Sequence, residues 1–119
     1  MEVRNRDRAQ AFTTLDGSTI RVLLDVELGG ASNQSLAEAT LAAGAGTRRH
    51  YHARAEEIYV VLAGSGSMEV DGHARGVGPG DAVLIRPGAW HQIEADEAGE
   101  LRFLCCCAPA YTDEDTFFE

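Results

Sequence analysis

The stretch GAGTRRHYHARAEEIYVVLAG, residues 44–64, decides how the rest of the chain is read. His50 and His52 stand two apart. On an extended strand alternate side chains share a face, so both imidazoles can converge on one ion. A short corner at residues 53–55 leads to a carboxylate, at Glu56 or Glu57, and then to the run IYVVLA, which ends at Gly64. A β-branched and aromatic run closed by glycine predicts a buried strand followed by a turn. Adjacent strand residues point to opposite faces, so only one of the two glutamates can look inward. A third imidazole, His91, lies in GDAVLIRPGAWHQI, residues 80–93, which is also bounded by glycines.

Working outward, Phe12 marks a short strand, Asp16-Gly17 a turn, and Ile20, Val22 and Leu24 alternate along a second strand. Residues 34–42 have a composition that also suits a helix. They end at Gly44-Ala45-Gly46 and run straight into the histidine pair, which predicts strand. Downstream, Met68 and Val70 precede the hairpin signal Asp71-Gly72, residues 73–77 return, GPGD at 78–81 turns the chain again, and residues 82–86 cross back. Residues 101–108 form the last predicted strand, before an acidic tail. About nine short strands separated by regular turn signals, with no amphipathic helix, predict an all-β sandwich or small barrel. No repeat, linker or low-complexity segment interrupts the chain, and residues 1–119 are expected to form a single domain.

The spacing Gly44, His50, His52, Glu57, Gly64 resembles the first cupin motif. Gly80, Gly88 and His91 are similar to the second, with Arg86 where the family usually has proline. The resemblance implies a double-stranded β-helix, the cupin jelly-roll barrel. Its downstream count of six residues to Gly64 selects Glu57 over Glu56. Residues 33–41, NQSLAEATL, and 101–116, LRFLCCCAPAYTDEDT, further resemble the zinc-binding cupin domain of hydrazine synthetases, which act in natural-product pathways. In that group the cupin is joined to a methionyl-tRNA-synthetase-like domain, which these 119 residues do not include.

Composition excludes several classes. A net charge of −9 argues against nucleic acid or an anionic membrane as a partner. All ten basic residues are arginines, so no lysine is present to form a Schiff base. The three cysteines are consecutive, Cys105 to Cys107, and alternate across a strand, which disfavours a disulfide between neighbours. They are expected to pack as small hydrophobes. No apolar run approaches the roughly 20 residues of a membrane span. The charged N-terminus MEVRNRDRAQ lacks the apolar stretch of a signal peptide, so the cytoplasm is the expected location.

His50, His52, Glu57 and His91 are the expected ligands of one divalent metal ion per chain. A set without thiolate suits zinc, iron, nickel, manganese or copper, and the resemblance puts zinc first. His73, just after the Asp71-Gly72 turn, is expected to be structural or exposed. Tyr59 shares the parity of Glu57 and is a candidate acid or substrate hydrogen bond. Arg48 and Arg86 are candidate anion clamps, and Trp90 a candidate wall of the cavity mouth. The expected function is a small metalloenzyme that isomerises, rearranges or cyclises a small polar molecule bearing a carboxylate or an amine. A metal-dependent dioxygenase and a non-catalytic binding or sensor module are the alternatives. Ile58, Val60, Leu62, Leu104 and Cys106 would all face outward, which predicts a homodimer.

Overall fold

In the computed structural model, which describes residues 1–119, the run EEIYVVLA forms the eight-residue strand Glu56–Ala63. Glu57, Tyr59 and Val61 are buried along it, whereas Glu56, Ile58 and Leu62 are exposed. This strand is β5 of eleven. The others are β1 Phe12–Thr13, β2 Thr19–Leu24, β3 Ser35–Leu41, β4 His50–His52, β6 Gly66–Val70, β7 His73–Val77, β8 Ala82–Ile85, β9 His91–Ala95, β10 Leu101–Ala108 and β11 Thr116–Phe118. Residues 34–42, open to a helical reading on composition alone, are strand: β3 is paired on both edges, with β2 and with β10. Two short 3-10 turns, Arg6–Arg8 and Asp113–Asp115, are the only helical elements, and no helix is long and apolar enough to cross a membrane.

All strand pairs are antiparallel and form two sheets, β1-β2-β3-β10-β5-β8 and β11-β4-β9-β6-β7. The sheets fold over one another as the jelly-roll barrel. Their facing side chains make one apolar cluster, with Val61, Ile85 and Phe103 from the first sheet against Met68 and Ile93 from the second. Each such side chain contributes about 1.5–3 kcal/mol on burial.

Interior positions change character along the barrel. Cross-strand neighbours of β5 and β10 run from Val61 and Phe103, through Tyr59 and Cys105, to Glu57 and Cys107. One end of the interior is therefore a hydrocarbon core, and the other a polar site. Ala37 and Ala39 on β3 face the polar half, where small side chains leave space unfilled.

Two local features hold this arrangement. Gly64 has φ +79, and a Cβ there would collide with the Glu100 carbonyl, so glycine closes the β5 turn for both conformational and steric reasons. The acidic tail does not trail away from the barrel. Its end forms β11, paired with β4 in the register Thr116↔His52, Phe117↔Tyr51, Phe118↔His50.

Candidate metal centre

Strand alternation brings His50 and His52 inward on β4, both 3% exposed, and backbone pairing sets His50 directly opposite His91 at the start of β9. Glu57 enters from β5 in the other sheet. One ligand atom from each of these four buried residues lies within 4.8 Å of all the others, a set positioned for a metal ion. Glu56 points to solvent, as the parity of the strand requires.

The outer ring nitrogens are already committed. His50 Nδ1 lies 2.7 Å from the Arg48 carbonyl and His91 Nδ1 lies 3.0 Å from the Ala89 carbonyl, so both donate outward. The Thr116 hydroxyl gives its proton to the Thr112 carbonyl at 2.9 Å and therefore accepts from His52 Nδ1 at 3.2 Å. Each Nε2 is thereby left as a lone pair aimed at the centre, the tautomer a metal requires. His52 Nε2, His91 Nε2 and Glu57 Oε1 are buried without an ordinary hydrogen-bond partner, and Glu57 Oε1 lies 3.2 and 3.4 Å from the two nitrogens. Orphaned polar atoms at this depth are costly unless something binds them, and a divalent cation fits this donor set.

Glu57 is held from behind. The Cys107 thiol, its cross-strand neighbour, donates to Glu57 Oε2 at 3.0 Å and leaves Oε1 facing the histidines. Burial pushes the Cys107 thiol up, and the Glu57 charge pushes it further, so it stays a donor. Burial would raise Glu57 too, but the hydrogen bonds from His52 and His91 outweigh it and hold the carboxyl below its usual range. For His52, burial is likewise outweighed, by the Glu57 hydrogen bond and charge, and the imidazole is raised. His50 has no such partner and is lowered, first by burial and then by the neighbouring His91.

The centre opens into a cavity of about 440 Å³, within the range of small-molecule sites. Tyr59 lines it, with its ring centroid 6.0 Å from that of His91 and 4.8 Å from that of Phe103. Burial first, and then the Glu57 charge, raise its phenol well above the ordinary range, so it remains protonated. The opposite wall is the segment from Phe12 to Ser18 together with Ala37 and Tyr111.

Arg48, Arg86 and Trp90 do not line this cavity, which corrects the expectation that they contact a substrate there. Arg48 contributes backbone: its N–H donates to the Asp16 carbonyl at 2.7 Å and its carbonyl accepts from His50, while its guanidinium lies 4.4 Å over the Phe118 ring. Arg86 follows the buried Ile85 and alternation turns it to solvent. Trp90 precedes the inward His91 and turns outward for the same reason, edge-on to Tyr51 at 4.7 Å with Arg49 at 5.2 Å over its ring. His73 is exposed. The roles of Cys107 and Thr116 were not read from the sequence, because each depends on which strand lies alongside. Only the inward parity of Cys107 hinted at its position.

A barrel of two antiparallel sheets with a His, His, Glu, His cluster defines a small cupin. Residues 37–107 match the family described as "Cupin domain", and the chain belongs to that family. It is 41% identical over 110 residues to the uncharacterised protein MJ1618 of Methanocaldococcus jannaschii, an alignment covering 92% of this chain and 88% of that one. Among solved structures, the polyketide cyclase RemF from Streptomyces resistomycificus is 26% identical with a TM-score of 0.81, covering 97% of this chain and 89% of that one. Pac13, a nucleoside dehydratase of Streptomyces, has the same fold at 16% identity, with a TM-score of 0.78 and coverage of 100% and 91%.

Proposed function

We propose that the chain is a metal-dependent enzyme that isomerises, rearranges, cyclises or dehydrates a small polar molecule in the cavity beside Tyr59. The observation that carries this reading is the set of buried, orphaned atoms His52 Nε2, His91 Nε2 and Glu57 Oε1 at the cavity floor. With His50 they would hold one divalent ion. The resemblance of residues 33–41 and 101–116 to the cupin domains of hydrazine synthetases makes zinc the first to test. When bound, such an ion supplies Lewis acidity toward a substrate oxygen or nitrogen.

The chain's own groups do the rest. Tyr59 presents a protonated hydroxyl to the cavity and can hydrogen-bond a substrate or hand it a proton. Phe103, Ile20 and Val22 keep the walls apolar and limit water near the reacting atoms. The names of RemF, a cyclase, and Pac13, a dehydratase, support chemistry within a single small molecule.

Protein purified without added metal should carry about one divalent ion per chain by mass spectrometry of its metals. Its thermal midpoint should fall on chelation, since an ion bound only by the folded state stabilises it. Turnover of a small-molecule panel should stop on chelation and return on reloading. Protein that binds none of zinc, iron, nickel, manganese or copper refutes the reading.

A further inference from the structure

The cavity that opens from the metal centre is lined by three further carboxylates, Asp16, Asp25 and Asp113, and by no arginine. In each of the three, Oδ1 serves the fold. Asp16 Oδ1 accepts from the Ser18 N–H at 2.9 Å and the Ser18 hydroxyl at 2.6 Å. Asp25 Oδ1 accepts from the Leu28 and Glu27 N–H groups, at 2.6 and 2.9 Å, and Asp113 Oδ1 from the Tyr111 hydroxyl at 3.0 Å. No group of the chain engages the three Oδ2 atoms, so each is available to a ligand.

A second observation points the same way. Tyr59 is 3% exposed, lines the cavity, and its hydroxyl has no hydrogen-bond partner in the chain. A buried polar group left open into a cavity is satisfied by what enters it. Asp16 is also close enough to act electrostatically on His50 and Tyr59, which places its charge at the inner part of the cavity.

The sign of the cavity follows. A divalent ion beside Glu57 leaves one positive charge, and the three aspartates outnumber it. A carboxylate or phosphate would find no cation other than the metal itself. A protonated amine would find acceptors from three directions, and apolar walls for its carbon chain.

Resting on the metal-enzyme reading above, we infer that the substrate is a small amine. Its cationic nitrogen lies among Asp16, Asp25 and Asp113, and a neutral oxygen or nitrogen donor of the same molecule points at the metal. The arginine clamp for an acidic substrate, expected from Arg48 and Arg86, is thereby replaced by its electrostatic opposite.

The test uses probes of similar size that differ in charge: tyramine, neutral tyrosol and anionic phloretate, with ethanolamine and glycolate as a shorter pair. Each is titrated calorimetrically into zinc-loaded and into chelated full-length protein. Partly exposed charge pairs contribute modestly one by one, so the cations should bind about tenfold tighter than the anions, with tyrosol between. Asp16→Asn keeps the Oδ1 acceptor for Ser18 while removing the charge. It and Asp113→Asn should each narrow the cation-to-anion ratio by about threefold with metal content unchanged. Anions binding as tightly as amines, no amine binding in the millimolar range, or a preference that survives both substitutions overturns the inference. Metal content measured on the same samples separates the two readings. A protein that takes up no ion sinks the metal enzyme, whereas a loaded protein that prefers the anion sinks only the amine.

Discussion

Glu57 uses one oxygen for the centre and the other for the fold, and this division sets what its neighbours do. Glu57→Gln removes a charged ligand atom and should weaken zinc binding about tenfold or more, while Glu56→Gln alters an exposed side chain and should change stability by no more than about 0.5 kcal/mol. Zinc titrations of the two variants in parallel check this, and a larger loss for Glu56→Gln would reverse the ligand assignment. Cys107→Val deletes the donor to Oε2 at nearly the same volume. Partners that orient a metal ligand are commonly worth 10–100-fold in affinity, so about tenfold weaker zinc binding is expected, with Cys107→Ser recovering most of it. Equal affinities for the Val and Ser variants would show that the thiol only fills space. The glutamate was legible in the sequence because parity on β5 links it to Tyr59 and Val61. The thiol's hydrogen bond was not, since it arises from the register of β10 against β5, which pairs residues 50 positions apart.

Among the elements, β11 is the one whose importance the composition hid. Residues 112–119, TDEDTFFE, read as a solvated acidic tail, and nothing in eight residues announces pairing with a histidine strand 64 positions earlier. Yet Asp115 accepts from the Arg54 and Ala55 N–H groups at 2.9 and 3.0 Å and so fixes the corner between β4 and β5, and Thr116 fixes the ring of His52. Thr116→Val keeps the shape of β11 and removes only the acceptor. Zinc affinity should fall about tenfold, while the metal-free protein loses no more than about 1 kcal/mol in urea unfolding. Unchanged affinity would mean that packing alone orients His52. The histidine strands themselves were readable in advance, because a two-residue spacing has only one geometric meaning on a strand and β4 realises it.

On the scale of the whole molecule, the barrel devotes its interior to a core at one end and a site at the other, and the outside of the larger sheet is left apolar. Leu84, Ile58 and Leu62 are 44, 40 and 39% exposed. The register makes them one surface, because Leu84 pairs with Ile58, Ile58 with Cys106, and Val60 with Leu104. At the other edge of this face the sheet covers itself: Arg6 reaches from the N-terminal segment to Glu38 at 2.8 Å, and Arg102 approaches it at 3.8 Å. The uncovered stripe across β8, β5 and β10 has no such strap. Adjacent apolar rows of this kind are suited to a two-fold contact, in which the same patch meets itself and no separate partner surface is needed. A stable pairing would bury about 800 Å² on each copy. The chain should therefore sediment as a dimer at tens of micromolar, and Ile58→Asp, which puts a charge at the centre of the patch, should shift it to monomer. Because Ile58 points away from the cavity, that variant should keep its metal content, so loss of pairing can be told from loss of fold. A wild-type protein that is monomeric throughout this range, or an Ile58→Asp variant that still pairs, would place the contact elsewhere or remove it.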